Sequence, residues 1–288
     1  MKKICICCLI LLTILLTTGC FKRDNMEDIN IITTSYPIEY VVNFLYGDNS
    51  TVKSIYPRSA NVSQYEITKK QIKDFSDNDL FVYNGNTDER EYATSMLNNN
   101  RDLKIIDAAY GVDAVYSEYD LWLNPSNVLM IGQNVRNELE DYISNPYLIE
   151  EINSKYQLLK VNISELETEY KKAADNSNDK RIISSDETLK FLEKYGFTVI
   201  NLTENGEKKE NNIELAKSLL KNKKLSYVFI HENDINLDFV NNLIKQYNAE
   251  KLTFRILETI TEEDVVNGDD YLSLMYDNIE LVKKETYK

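Results

Sequence analysis

The stretch NIITTSYPIEYVVNFLYG, residues 30–47, carries the two patterns that decide the fold. Its first six residues, NIITTS, form a short apolar run with β-branched side chains, which predicts a buried strand. The following PIEYVVNFLYG starts with Pro37 and stops at Gly47, as helices commonly do. The sequence therefore predicts a strand that is followed directly by a helix.

The same alternation continues along the chain. Further strands are predicted at residues 52–56, 79–85, 103–108, 181–185, 197–202, 226–232 and 252–257. Helices are predicted at residues 68–75, 88–100, 126–143, 186–196, 213–222, 237–248 and 269–284. Strand–helix units at this spacing predict parallel sheets with helices on both faces.

A longer helical pattern separates the two halves. Asn145 supplies a cap, Pro146 lies in the first turn, and apolar residues recur every three or four positions from Leu148 to Tyr170. At about 1.5 Å per residue this helix is roughly 40 Å long. We predict one rigid helix that joins two lobes, and a coiled-coil strip is the alternative.

The predicted fold class is therefore α/β, with two lobes that each contain a parallel sheet flanked by helices. Ligands of open α/β sheets bind outside the carboxyl ends of the strands, so the cleft between the lobes is the expected site. The predicted segments are a signal peptide at 1–20, a tether at 21–29, an N-terminal lobe at 30–144, a linking helix at 145–175 and a C-terminal lobe at 176–288.

The first twenty residues have the layout of a secretory signal. A basic MKK precedes the apolar run ICICCLILLTILL, and TTGC ends the segment. The ending resembles a bacterial lipoprotein signal, which implies a lipid on Cys20, although Thr17 replaces the usual Leu. A plain cleaved signal is the alternative. All four cysteines lie here, so the mature chain has neither a disulfide nor a thiolate metal site.

Charge narrows the class of partner. The predicted signal contains two of the 33 basic residues, Lys2 and Lys3, and none of the 47 acidic residues. The chain without its signal therefore has 31 basic and 47 acidic residues, which gives a net charge of −16. This negative charge argues against nucleic acid and anionic lipid as partners, and it suits a protein that interacts with cations.

Catalytic motifs are missing from the sequence. There is no G-x-S-x-G, P-loop, G-x-G-x-x-G or H-E-x-x-H, and His231 is the single histidine. We therefore predict a protein that is not an enzyme. A surface adhesin or structural lipoprotein is the other alternative, although packing explains the spacing of most of the tyrosines.

Three segments resemble the metal-ion solute-binding lipoproteins that serve ABC importers of zinc and manganese. They are TTSYPIEYVVNFLYGDNSTVKSIYP, DLFVYNG and DYLSLMYDNIE, and the resemblance runs from Ile31 to the C-terminus. It implies two lobes with a strut and capture of a divalent cation in the cleft. It also implies delivery to a permease with its ATPase, a monomer, and a lipid anchor on the extracytoplasmic face of the bacterial cell membrane.

The resemblance also assigns site residues. EYDLWLNP aligns with the family's D-P-H-x-W-L-D-P and places Asp120 where the family has a metal-binding histidine, with Trp122 in the same frame. By the same comparison Ser63 and Ser185 occupy histidine-type positions, and Glu258 occupies the position of the last acidic ligand. Tyr65 and Glu232 match further family positions around the cleft.

These substitutions change the chemistry that the resemblance implies. Histidine nitrogen suits zinc and manganese, whereas carboxylates and hydroxyls suit a harder cation. The ion is therefore expected to be manganese, zinc or a harder cation. Two alternatives stay open: a divergent family member that binds another solute, such as an organic cation, or a surface lipoprotein without tight metal binding.

Overall fold

The computed structural model describes residues 24–203, 206–234 and 237–288, so the predicted signal and Cys20 lie outside the described residues. The strands of the first lobe are β1 (Ile29–Thr33), β2 (Ser50–Ser54), β3 (Leu80–Tyr83) and β4 (Lys104–Asp107). Its helices are α1 (Tyr36–Tyr46), α2 (Lys69–Ser76), α3 (Glu89–Asn99), α4 (Asp120–Leu123) and α5 (Pro125–Tyr142). All strand pairs are parallel, in the order β2-β1-β3-β4.

The linking helix is α6, Pro146–Asp175. The side chain of Asn145 accepts a hydrogen bond from the backbone amide of Tyr147, so the predicted cap is present. The predicted apolar stripe is buried along the helix: Leu148, Ile152, Tyr156, Leu159, Ile163, Leu166 and Tyr170. Near its start Lys155 pairs with Asp48 of the first lobe, and near its end the ring of Tyr170 stacks on Tyr195 of the second.

The second lobe repeats the plan. Its strands are β5 (Arg181–Ser184), β6 (Thr198–Asn201), β7 (Tyr227–His231) and β8 (Glu250–Phe254), all parallel in the order β6-β5-β7-β8. Its α-helices are α7 (Glu207–Lys221), α8 (Leu237–Tyr247), α9 (Glu262–Asn267) and α10 (Tyr271–Thr286). The two parallel sheets with flanking helices and the long helix between them confirm the predicted fold class.

One apolar core runs through both lobes. A single cluster of buried side chains extends from Met26 through the stripe of α6 to Val282 of α10. The outer faces of the sheets have smaller clusters, one around Phe81 in the first lobe and one around Ile200 in the second. The lobes therefore share a continuous interior.

The structure corrects several predicted boundaries. Residues 118–124, where the sequence analysis predicts no helix, contain the helical turn α4. The helix predicted at 186–196 is a 3₁₀-helix, Glu187–Tyr195. The last strand ends at Phe254 instead of residue 257. It ends there because the amide and carbonyl of Arg255 pair with the side chain of Asn278 and thereby leave the sheet ladder.

Candidate functional site

Trp122 lies at the junction between the lobes and is buried. Its Nε1 donates a hydrogen bond of 2.6 Å to the backbone oxygen of Ile256 in the second lobe. The hydroxyl of Tyr271 donates to the backbone oxygen of Trp122 at 2.6 Å. The lone tryptophan of the chain therefore binds the two lobes together through its ring and its backbone.

A pocket of about 250 Å³ opens beside this junction, and we call it the inter-lobe pocket. Side chains of both lobes line it. Of the predicted site residues it brings together Ser63, Tyr65, Trp122 and Glu258. Three acidic residues that the sequence analysis did not single out also line it, namely Asp88, Glu89 and Glu118.

Glu258 follows β8 and reaches the pocket from the second lobe. Burial raises the pKa of its carboxyl to about 7, and the negative charge of Glu118 adds to this rise. A backbone hydrogen bond from Val62 in the first lobe opposes the rise. The carboxyl group thus lies where the two lobes meet and is costly to ionise without a positive partner.

Glu89 begins α3 on the other side of the pocket. The backbone amide of Asn84 donates to its Oε2 at 2.8 Å, and the hydroxyl of Tyr56 donates to its Oε1 at 3.2 Å. Burial raises the pKa of Glu89 to about 7 despite these hydrogen bonds, and the charge of Glu118 raises it further.

Asp120 begins α4, and its carboxylate is held by the loop that precedes this helix. It is buried, and its Oδ2 accepts a hydrogen bond of 2.7 Å from the backbone amide of Tyr116. Burial raises its pKa, and backbone hydrogen bonds from residues 115–117 oppose the rise. The carboxylate holds its own loop in place, and Asp120 is not among the residues that line the inter-lobe pocket.

Ser63 and Tyr65 are the more exposed members of the predicted set. Ser63 lies in a short 3₁₀-helix at the pocket rim and donates a hydrogen bond of 2.7 Å to Asn61 Oδ1. The hydroxyl of Tyr65 accepts a hydrogen bond of 2.9 Å from Gln71 Nε2. Both side chains are thus held by neighbours on the first lobe.

Ser185 and Glu232 lie at the carboxyl ends of β5 and β7, outside the inter-lobe pocket. Ser185 is buried, and its Oγ has no hydrogen-bond partner among the described residues. Glu232 accepts a hydrogen bond of 3.2 Å from the backbone amide of Ile256 and lies 3.7 Å from Arg255 Nε. It lines a neighbouring pocket of about 200 Å³, which Glu258 also lines.

His231 stands at the end of β7 and pairs with Asp186. The distance from its Nε2 to Asp186 Oδ2 is 2.9 Å, and the ring of Tyr119 packs against the imidazole. Burial lowers the pKa of His231, but the hydrogen bond and charge of Asp186 outweigh this and raise it overall. The histidine is thus a partner of Asp186 and packs against the first lobe.

The arrangement is anionic, and its carboxylates are spread around an open space. Within residues 24–203, 206–234 and 237–288 no group of three or more His, Cys, Asp or Glu side chains is arranged to hold a metal ion. The sequence signal that could have identified Glu118 was its position in EYDLWLNP, and for Glu89 it was the acid directly after the strand end DLFVYNG.

Comparison with known proteins identifies relatives for the whole body of the chain. The zinc-binding lipoprotein AdcA of Streptococcus pneumoniae (strain ATCC BAA-255 / R6) is 22% identical, and the alignment covers 99% of this chain and 61% of AdcA. The chain thus spans about three fifths of that relative. The manganese ABC transporter substrate-binding lipoprotein PsaA of S. pneumoniae is 23% identical, over 92% of this chain and 91% of PsaA.

Solved structures share the fold. The Zn(II)-bound AdcA of S. pneumoniae superposes with a TM-score of 0.71 at 21% identity, over 91% of this chain and 58% of that one. The metal-dependent lipoprotein YcdH of Bacillus subtilis gives a TM-score of 0.73 at 19% identity, over 91% of this chain and 100% of YcdH. The profile of the family described as zinc-uptake complex component A, periplasmic, matches residues 31–285. The resemblance is therefore confirmed, and the chain belongs to the zinc-uptake complex component A family.

Proposed function

We propose that the protein is the extracytoplasmic solute-binding lipoprotein of an ABC importer of the metal-ion class. It captures a divalent cation between its lobes and delivers the cation to a membrane permease that works with an ATPase. The family supports this proposal, and so do relatives named as zinc-binding and manganese-transporting lipoproteins. The relatives are named as binding and transport components, which supports a role in binding without catalysis.

The inter-lobe pocket is the observation that carries the proposal. Glu118 of the first lobe and Glu258 of the second line the same space, and the charge of Glu118 raises the pKa of Glu258. Carboxylates that repel each other in a partly dry space are stabilised when a cation neutralises them. A cation held there contacts both lobes at once.

The donor set favours hard cations over zinc. Carboxylate and hydroxyl oxygens suit Mg²⁺, Ca²⁺ and Mn²⁺, whereas zinc prefers nitrogen and sulfur donors. If Asp120 and Ser185 take part as the family positions imply, Asp120 must first release the amides of its own loop. We therefore propose Glu258 as the central ligand and Asp120 as a residue that supports its own loop.

Thermal unfolding with each divalent ion tests this function. A cation that binds only the folded state raises the melting temperature as its concentration rises. We expect a rise with Mn²⁺, Ca²⁺ or Mg²⁺, and its loss in Glu258→Gln. Glu138→Gln on the exposed face of α5 is the matched control and should keep the full rise. Calorimetry that detects no divalent ion at millimolar concentration contradicts the proposal and favours the organic-solute or adhesion alternatives.

The proposed location depends on a lipid at Cys20. Two acyl chains on one residue suffice for firm attachment to a membrane. Within the described parts of the chain, no helix has the length and apolar character needed to cross a membrane. We expect Cys20→Ala to release the protein from the cell surface into the medium, measured by cell fractionation and immunoblotting. Retention of the variant on the membrane at the wild-type level contradicts the anchor.

A further inference from the structure

The fold holds the chain from Asp24 onward, the first residue that the structure describes. Its Oδ2 accepts hydrogen bonds from the backbone amides of Ser144 at 2.7 Å and Asn145 at 2.8 Å, directly before α6. Its Oδ1 accepts a third, of 2.9 Å, from the amide of Met26. Hydrogen bonds to an ionised carboxylate are among the stronger ones in proteins, so Asp24 fixes the chain at this point.

The residues that follow Asp24 are attached as well. Met26 is buried, and its backbone oxygen accepts a hydrogen bond of 2.8 Å from the hydroxyl of Tyr46 in α1. The amide of Asp28 donates to the backbone oxygen of Asn49 at 2.9 Å, beside the amino ends of β1 and β2. Strands β1 and β2 and helix α6 therefore all begin at one end of the first lobe. We call this end the first-lobe base, made of residues 24–28, 48–49 and 144–151.

The distance from this base to the proposed lipid is short. Only Phe21, Lys22 and Arg23 separate Cys20 from Asp24 in the sequence. Consecutive Cα atoms lie about 3.8 Å apart, so at most about 15 Å separates the Cα atoms of Cys20 and Asp24. Acyl chains on Cys20 hold that residue at the surface of the bilayer. The first-lobe base therefore stays within this short reach of the lipid headgroups.

Tyr147 projects from the base into solvent. It lies in the first turn of α6, two residues after Asn145, and is 77% exposed. A tyrosine combines an apolar ring with a polar hydroxyl, and such side chains are enriched where a membrane meets water. The exposed ring and the short connection to the lipid are independent features, and they lie on the same surface.

Hydrogen bonds and ion pairs engage several acidic groups of the base. Asp48 and Glu151 pair with Lys155, and Glu27 Oε1 accepts a hydrogen bond of 3.2 Å from Asn145 Nδ2. The base as a whole is still negatively charged, which disfavours an anionic lipid surface. A zwitterionic headgroup layer is therefore the lipid surface that fits it.

We propose that the first-lobe base lies against the bilayer that carries the Cys20 lipid, with the ring of Tyr147 in a zwitterionic headgroup layer. This inference rests on the proposed anchor and extends it, because it assigns the face and the residue that contact lipid. The strands of the first lobe run parallel to one another and away from the base, toward the residues that line the inter-lobe pocket. The pocket thus lies on the side of the first lobe that faces away from the bilayer.

Fluorescence quenching by lipid headgroups tests this orientation. The chain beyond Cys20 has no cysteine, so Glu150→Cys, exposed one turn after Tyr147, accepts a single fluorophore. Lys171→Cys is the matched exposed position near the other end of α6, about 30 Å away. The lipidated full chain is placed in phosphatidylcholine vesicles that contain a lipid with a nitroxide on its headgroup. Because the nitroxide quenches only at short range, quenching should be severalfold greater at position 150 than at position 171.

Two changes separate the effect of the short connection from that of the ring. A Gly-Ser insertion of about 20 residues between Arg23 and Asp24 has a mean length of about 25 Å and should lower quenching at position 150 toward the value at position 171. Tyr147→Ser should lower it in part. Tyr110→Ser removes an equally exposed ring, 77% accessible, from the loop after the carboxyl end of β4 and should leave the quenching unchanged.

The outcomes distinguish this inference from the anchor and from metal binding. Equal quenching at positions 150 and 171, or no change on insertion, overturns the inference and leaves the anchor and the proposed function intact. Equal effects of Tyr147→Ser and Tyr110→Ser overturn the contact assigned to Tyr147. Self-quenching between labelled copies without quenching by the nitroxide shows that a second copy covers the base, which also overturns the inference. If Cys20→Ala binds the vesicles as well as the wild type does, the anchor and the inference both fall.

Discussion

Glu89 is a buried acid, and no salt bridge joins it to a basic residue in the described part of the chain. Its two oxygens accept hydrogen bonds from Asn84 and Tyr56, and Glu118 and Glu258 line the same inter-lobe pocket. Burial raises its pKa from 4.5 to about 7. The folded state therefore holds this proton more tightly than the unfolded state, and stability depends on pH.

Glu89→Gln should remove much of this dependence. The proton on Glu89 stabilises the fold fully below pH 4.5, and that contribution is lost as the pH rises toward about 7. Over this window the wild-type free energy of unfolding should fall by up to about 3 kcal/mol. The neutral glutamine does not titrate, so the variant should lose less stability between pH 5 and pH 8.

Urea denaturation at pH 5 and pH 8 measures this difference. Glutamine preserves the network, because its oxygen can accept from Asn84 while its amide donates to the hydroxyl of Tyr56. Glu138→Gln, which is exposed, should behave like the wild type at both pH values. A Glu89→Gln protein with the wild-type pH dependence would refute a raised pKa at this position.

Residue by residue, the sequence indicated only part of the candidate site. Glu258 follows a strand and points to the pocket, as strand-end geometry predicts. Asp120 has the right position in its motif, but the amides of residues 115–117 bind its carboxylate. The direction of a side chain depends on such loop hydrogen bonds, which no pattern of residue types reveals. The assignment of metal ligands stays a prediction.

At the scale of elements, the periodicity of apolar residues in the sequence identified the long helices and the regular strands. The stripe of α6 and the apolar strands are local patterns, so they were visible in the sequence. Helix α4 has four residues and α9 has six, too few to show a period, and both were missed. The end of β8 at Phe254 depends on Asn278, which is distant in the sequence, and was placed wrongly.

The contact between α5 and α6 depends on a glycine. A Cβ atom at Gly132 would lie 2.7 Å from Leu159 Cδ2, which is shorter than carbon atoms tolerate. Gly132 and Leu159 are both buried, so the two helices approach each other closely here. The missing side chain allows α6 to pack its stripe against the first lobe.

Gly132→Val should therefore destabilise the protein by about 1–3 kcal/mol, because the added methyl groups overpack the helix contact. Gln133→Val places the same β-branched side chain on the adjacent exposed position and should cost less than about 1 kcal/mol. The difference between their free energies of urea unfolding isolates the contact. Equal losses in the two variants would mean that helix propensity alone causes the effect.

At the scale of the whole molecule, the lobes are joined by more than the linking helix. Trp122 donates to Ile256, the amide of Ser59 donates to Ile260, and Thr259 donates to the backbone of Ala60. The shared apolar core lies behind these hydrogen bonds. Separation of the lobes would break the hydrogen bonds and expose the core together.

We therefore expect the lobes to move little when a cation binds. Small-angle scattering with and without saturating Mg²⁺ should give nearly the same radius of gyration, because no hinge interrupts α6 and the core spans both lobes. The same pair of measurements on Trp122→Phe, which removes the hydrogen bond to Ile256, provides a comparison with the wild type. A large contraction of the wild type on binding would indicate a hinged closure instead.

The position of α10 has a consequence for how the chain is made. The ring of Tyr271, at the start of this last helix, lies 5.3 Å from that of Tyr40 in the first helix, and its hydroxyl binds the backbone of Trp122. A chain that emerges with its N-terminus first cannot seal this interior until the 16 residues of α10 arrive. Until α10 has been made, the chain therefore lacks the tyrosine that closes the interior beside Tyr40 and Trp122.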